Sequence, residues 1–248
     1  MTTTHQIDTG STQSVTPPAS ASGTTSPGVQ QVMRRLTRIW GDFEGRLRAV
    51  PIIADAHAGR IRLSDYRTLL KDHYAQVIEG SGWISRAASS VSRPYLEQRS
   101  LFLRHAVTEH RDYEMLARDY AACGGNPDDL ADARKNLGSM ALSAWMYHRA
   151  SQPNPFDLLG AMFIIEGLGQ WFARSFAEAV TARLSLNDAQ TGFYRYHADH
   201  DPDHLAELEE VLGSGVLDIP GMADTLVETA AVTARLYLLQ LEEVGHYG

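Results

Sequence analysis

The stretch Leu158-Leu159-Gly160-Ala161-Met162-Phe163-Ile164-Ile165-Glu166-Gly167-Leu168-Gly169-Gln170-Trp171-Phe172 is apolar on nearly every side of a helix. A helix that is hydrophobic all round is buried all round, so other helices must surround it. They can be read on both sides of it. From Val29 onward the apolar spacing stays near 3.6, Gly, Pro and Asn clusters punctuate it, and no convincing strand occurs. A first helix runs from about Val29 to Ala49 and stops before Pro51. A second opens at Ser64 and runs through Ser90, and a third begins around Pro94 and ends at Cys123-Gly124-Gly125. A fourth covers Pro127 to Arg149, ahead of Gln152-Pro153-Asn154-Pro155. The apolar fifth spans Phe156 to Leu184. Asn187 caps a sixth that carries Tyr196 to Leu212, and a seventh spans Met222 to Val244. The expected fold is all-α, a single seven-helix bundle over residues 29–248.

Residues 1–28 are rich in Thr, Ser and Pro and almost lack large apolar side chains, so they read as a disordered tail rather than a signal peptide. The 248 residues, 44% hydrophobic, suffice for one core without disulfides. The single cysteine, Cys123, excludes an internal disulfide and suits a cytoplasmic setting. A net charge of -8 without a Lys/Arg run argues against a nucleic-acid partner. No run of 18 apolar residues points to a membrane. Homodimerisation is a prior expectation for a bundle with this much apolar helix surface.

Glu166 is the strongest chemical signal, because a carboxylate in an apolar helix needs a cation, a donor or a proton. Either a metal or a single Arg, such as Arg174, would satisfy it. The segment His197-Ala198-Asp199-His200-Asp201-Pro202-Asp203-His204 is the second signal. At about 100° per residue, His197, Asp201 and His204 share one helix face and offer two imidazoles and a carboxylate. Pro202 should kink that helix or restart it. A solvated polar loop is the competing reading. The third segment, His105-Ala106-Val107-Thr108-Glu109-His110-Arg111-Asp112, puts His105, Glu109 and Asp112 on one face, against the alternative of a charged outer surface. Glu79, in a mostly apolar stretch, is the fourth and weakest, and His73 nearby is either a core histidine or a partner behind the ligands. Read in order, Glu79, Glu109 with Asp112, Glu166, and Asp201 with His204 follow the carboxylate-and-pair arrangement of dimetal helical bundles. Without cations, so many buried carboxylates would repel one another and take up protons.

The run Glu109 to Gly124, the Leu-Leu-Gly-x5-Glu-Gly of Leu158 to Gly167 and the His-x3-Asp-x2-His of 197 to 204 resemble heme-oxygenase-like diiron oxidases. The resemblance spans about Val29 to Val244 and implies the heme-oxygenase-like fold shared with thiaminase II and pyrroloquinoline-quinone synthase. It implies metal ligation by Glu166, His197, Asp201 and His204, with Glu109 matching a carboxylate of many members. Asp112 departs from the pattern, since the family usually has His there, and His105 stands earlier as if the two had been exchanged. A preserved diiron site, another metal such as manganese, or one weakened site would each be compatible with that exchange.

The resemblance further implies two Fe2+ ions, O2 as co-substrate, a small amino acid, amine or fatty acid as substrate, and an electron-donor reductase as partner. The chemistry would be N-oxygenation or oxidative cleavage, in specialised biosynthesis. Tyr74, Arg86, Tyr194 and Arg195 are candidates to hold a substrate carboxylate, with packing or exposure as the other account of each. Rival readings are a metal-free enzyme resembling pyrroloquinoline-quinone synthase, and an interaction protein with a degenerate site. A thiaminase-like role would need a cysteine inside the pocket, whereas Cys123 falls at a predicted helix end. A heme oxygenase would need a histidine in the first helix, and that helix has none.

Overall fold

The computed structural model describes residues 26–245, apart from the side chains of residues 201–204. The predicted tail therefore lies outside the described residues up to position 25. Twelve α-helices and no strand occur among the described residues. They are α1 (Pro27–Leu47), α2 (Pro51–His57), α3 (Leu63–Val77), α4 (Gly80–Ser90), α5 (Leu96–Thr108), α6 (Tyr113–Ala122), α7 (Asp128–Ala131), α8 (Leu137–Ala150), α9 (Leu158–Leu168), α10 (Arg174–Leu184), α11 (Gly192–Gly213) and α12 (Met222–Glu242). All seven predicted helices are present, four of them divided in two, and α2 is an addition whose first residue is the Pro51 that ends the first predicted helix.

The divisions have local causes. Gly80, Ser81 and Gly82 weaken the predicted Ser64–Ser90 helix, and a Cβ on Gly82 would lie 2.4 Å from the Tyr147 hydroxyl, so α3 and α4 meet at Ile78-Glu79. The Pro127–Arg149 segment splits because Asn136 takes an extended backbone and caps α8, accepting from Ser139 N at 2.9 Å. Its amide also donates to Gln240 O at 2.9 Å and to Asp72 at 3.3 Å. The third predicted helix breaks at a 3-10 turn, Glu109–Arg111, between α5 and α6. The Gly124-Gly125 terminator acts as expected, with Gly124 at φ +78° and Gly125 N donating to Tyr120 O.

The central helix is α9, in which every residue from Leu158 to Ile164 is buried. It packs on α12, α11 and α1, while α12 also packs on α8 and α1. A π-helical turn, Gly169–Ala173, joins α9 to α10 and lies against α11. Such turns insert one extra residue and cluster at functional sites. Gly167 makes room for the rings of Trp40 and Trp171 just before it.

The start of α11 is held by Asp119 of α6, which accepts Phe193 N at 2.9 Å. Burial outweighs the hydrogen bonds from Phe193 and Gly192 and pushes this carboxyl up to about 6, from an ordinary value of 3.8. The folded state therefore binds the proton more tightly than the unfolded chain. The stability this group contributes is complete below about pH 4 and is lost as pH rises through 6. Asp119→Asn keeps an acceptor and carries no charge. It is expected to stabilise the fold at pH 7.5 by up to about 2 kcal/mol and to change little at pH 4. Urea unfolding at the two pH values measures the difference. Equal effects at both would contradict it.

Candidate metal centre

Three helices and one turn bring the site together. His105 lies in the last turn of α5, Glu109 opens the 3-10 turn, Asp112 precedes α6, Glu166 is in α9, and His197 is in the second turn of α11. His105 Nε2 stands 3.2 Å from Glu166 Oε1, both side chains being 7% exposed. His197 Nε2 stands 3.1 Å from Asp112 Oδ2. Glu109 is half-buried between the two pairs. His105, Glu109 and Glu166 form one group whose ligand atoms lie within 4.8 Å of each other, and Glu109, Asp112 and His197 form another. The 3-10 turn produces this division: the predicted single face of His105, Glu109 and Asp112 becomes two directions with Glu109 common to both.

The donor set fits a metal. His197 Nδ1 faces the Phe193 carbonyl at 2.9 Å, and a carbonyl can only accept, so Nδ1 carries the proton. On a neutral ring, Nε2 then presents a lone pair toward a carboxylate oxygen, an arrangement that needs a cation or an added proton between them. Ligating histidines are commonly oriented by such a contact of the other ring nitrogen. Atoms bound to one ion at about 2 Å stand roughly 3–4 Å apart, which suits both groups. Carboxylates and imidazoles together suit divalent iron or manganese. Glu166 has an imidazole beside it, and Arg174 is engaged with Asp199 on the surface.

The remaining predicted ligands are placed as follows. Glu79 is not brought into either group: it pairs with Lys135 outside the cluster, and Lys135 Nζ also donates to Ser143 at 2.5 Å. Glu79 stands at the break between α3 and α4, as the residue that precedes Gly80 of α4. Glu79→Gln is expected to leave the metal content of the protein unchanged, as read by elemental analysis after loading. A loss of one equivalent would return Glu79 to the ligand set. Positions 201 and 204 fall within α11, which continues through Pro202; the side chains of Asp201 and His204 lie outside the described residues.

Beside the cluster lies a cavity of about 140 Å3, lined by His105, Glu109, Glu166 and His197 at one end and otherwise mostly by apolar side chains such as Trp83, Met162 and Phe172. Such largely apolar clefts with a few polar groups are the usual form of small-molecule sites. His73, Tyr194 and Tyr237 form a second polar patch in its wall. Sequence reading flagged His73 and Tyr194 singly and missed Tyr237. No local motif joins residues so far apart in the chain. Arg86 bonds Ser151, Arg195 bonds Thr191 and pairs with Asp188, and Tyr74 packs on Tyr113, so none of these three lines the cavity. Cys123 is also outside it, and burial pushes its thiol up to about 11, unsuited to a nucleophile. No described helix is long and apolar enough to cross a membrane.

An all-helical bundle with interlocking carboxylate and imidazole groups beside an apolar cavity defines a helical protein with a candidate metal centre. The same fold appears in a domain of unknown function from Shewanella denitrificans, described as heme oxygenase-like, with a TM-score of 0.79 at 18% identity over 88% of this chain and 92% of that one. A TenA homolog from Pseudomonas syringae pv. tomato gives 0.66 at 16% identity over 92% and 96% of the two chains. A TenA homologue from P. horikoshii gives 0.66 at 14% over 89% and 99%. No curated protein matches the sequence. Residues 108–238, more than half of the chain, match the family described as iron-containing redox enzyme, and the chain belongs to that family.

Proposed function

We propose that the protein is a non-heme diiron, O2-dependent oxidase or oxygenase that acts on a small molecule by N-oxygenation or oxidative cleavage. The observation that carries this reading is the membership of Glu109 in both ligand groups. A carboxylate common to two groups is how a protein holds two ions close together. In this reading His105 and Glu166 complete one site, Asp112 and His197 the other, and the spacing of Asp201 and His204 from His197 adds both to the set.

Bound iron would supply the electrons that reduce O2. The chain supplies everything else. Glu109, Glu166 and Asp112 provide negative charge in a buried setting, which sets the affinity for divalent ions. His197 is kept in one tautomer by the Phe193 carbonyl. The mostly apolar cavity wall would exclude water and place a substrate against His105, Glu109, Glu166 and His197. A small-molecule substrate and an electron donor for re-reduction are the partners this chemistry requires.

Anaerobic Fe(II) titration followed by O2 tests the reading. The expected result is about two ions bound per chain, as in other dimetal bundles, and an absorbance change on adding O2. Binding of one ion or none, or no spectral response, would contradict it.

A further inference from the structure

A second, smaller cavity of about 30 Å3 lies against the same cluster. Its wall is apolar, made by Leu101 and Phe102 of α5, Leu159 of α9, and Leu208 and Val211 of α11. His105, Met162 and Glu166 line both this cavity and the larger one, so these three side chains stand between the two. Exposed Glu207 and half-buried Gln98, whose amide donates to Ser214 at 2.9 Å, carry the lining out to the protein surface. The packing explains the space. Helix α5 packs mainly on α4 and the 3-10 turn, whereas α9 packs on α11. The cavity is what remains where the inner face of α5, read at Gln98, Leu101, Phe102 and His105, turns toward that pair.

We propose that the smaller cavity is a port for a small apolar gas, by which dioxygen reaches the His105–Glu166 side of the centre without crossing the substrate's cavity. Dioxygen as the gas rests on the oxidase reading above; the affinity of the cavity for an apolar gas does not. Size and polarity decide the class. A single water needs about 10–15 Å3 of such space, so about 30 Å3 admits a diatomic molecule. It is too small for the ring or chain that the cavity of about 140 Å3 can hold. A resident water also needs about two to four polar partners. The wall between the two polar ends offers none, and a nonpolar gas needs none. Dry cavities lined by Leu, Ile and Phe bind xenon for this reason.

The two cavities meet the cluster from different sides. Helices α3, α4, α8 and α12 wall the larger one and, among the described residues, contribute nothing to the smaller. A substrate that fills the larger cavity therefore closes that path to a gas and leaves the smaller path open. Met162 is the adaptable part of the partition, because an unbranched thioether changes shape at little cost.

Xenon is the probe. Crystals of the full-length, metal-free protein pressurised with xenon are expected to show a peak among Leu159, Leu208 and Val211. Val211→Phe and, independently, Leu159→Phe should fill the space and lose that peak. The wild-type crystals decide the gas site even if neither variant folds. Loaded with Fe(II) under nitrogen, each variant should bind as much iron as the wild type. Each should then react with O2 about tenfold more slowly, the factor that about 1.4 kcal/mol of overpacking in the path would impose. Wild-type crystals with no xenon in the smaller cavity would overturn the inference. So would an unchanged O2 rate in a variant that has lost its xenon. Xenon in the cavity of a protein that binds no iron, or whose iron ignores O2, sinks the oxidase reading, and dioxygen with it, while the gas site stands.

Discussion

Glu109→Ala is expected to remove both metal ions at once, whereas His105→Ala and His197→Ala should each weaken one. Replacing a partner behind a ligand typically costs 10–100-fold in metal affinity, so loss of a carboxylate common to two groups should cost at least about 100-fold at each site. The stability readout is independent of activity. An ion present at 100 times its dissociation constant stabilises the fold by about 2.7 kcal/mol. The wild type should therefore melt markedly higher with Fe(II) under nitrogen, and the Glu109→Ala protein should show almost no shift. Without metal the order should invert. The variant carries one carboxylate fewer beside Glu166 and Asp112, and mutual repulsion of buried carboxylates disfavours the folded apoprotein. A Glu109→Ala protein that still gains wild-type stabilisation from iron would remove Glu109 from the centre.

Gly160→Ala should lower the stability of the bundle sharply. A Cβ there would lie 2.1 Å from the Leu226 carbonyl oxygen and 3.1 Å from Ala230 N. Both are backbone atoms of α12, which cannot rotate away as a side chain can. Helices α9 and α12 would have to separate by about an ångström or more. Overpacking costs about 1–3 kcal/mol where side chains can adjust, so about 3 kcal/mol or more is expected here, a fall in Tm of roughly 6–12 °C for a chain of this size. Because α12 also carries Tyr237 and Leu241 in the cavity wall, ligand affinity should fall with it. Gly45→Ala in α1 is the control. Nothing lies within 4 Å of its added Cβ, and Ala exceeds Gly in a helix interior by about 0.5–1 kcal/mol, so that variant should be more stable. Matched destabilisation in both would refute the packing argument.

The apolar Leu158–Phe172 stretch announced the all-helical fold because burial on every side leaves a helix no other place than the centre of a bundle. Glu166 was readable for the same reason, since a charge in that setting demands a partner. Helix breaks were harder. The predicted Pro94–Cys123 helix carries no Gly or Pro near Glu109, and its 3-10 turn follows from tertiary packing that spacing cannot express. That turn is what divides His105 from Asp112 and makes Glu109 common to both groups. Glu79 was read from the apolar stretch around it, and its ion pair with Lys135 comes from a segment too far along the chain for that local reading to include. The His73–Tyr194–Tyr237 trio joins three helices from distant parts of the sequence, so only the assembled bundle reveals it.

In the diiron reading, two cations hold together the carboxylates and imidazoles around Glu109. Anomalous diffraction at the iron edge, from crystals grown with Fe(II) under nitrogen, asks this directly. Two peaks about 3.5–4 Å apart, one beside His105 and Glu166 and the other beside Asp112 and His197 with Glu109 reaching both, are the result expected. No peak in this cluster, or iron bound only elsewhere on the chain, would contradict it.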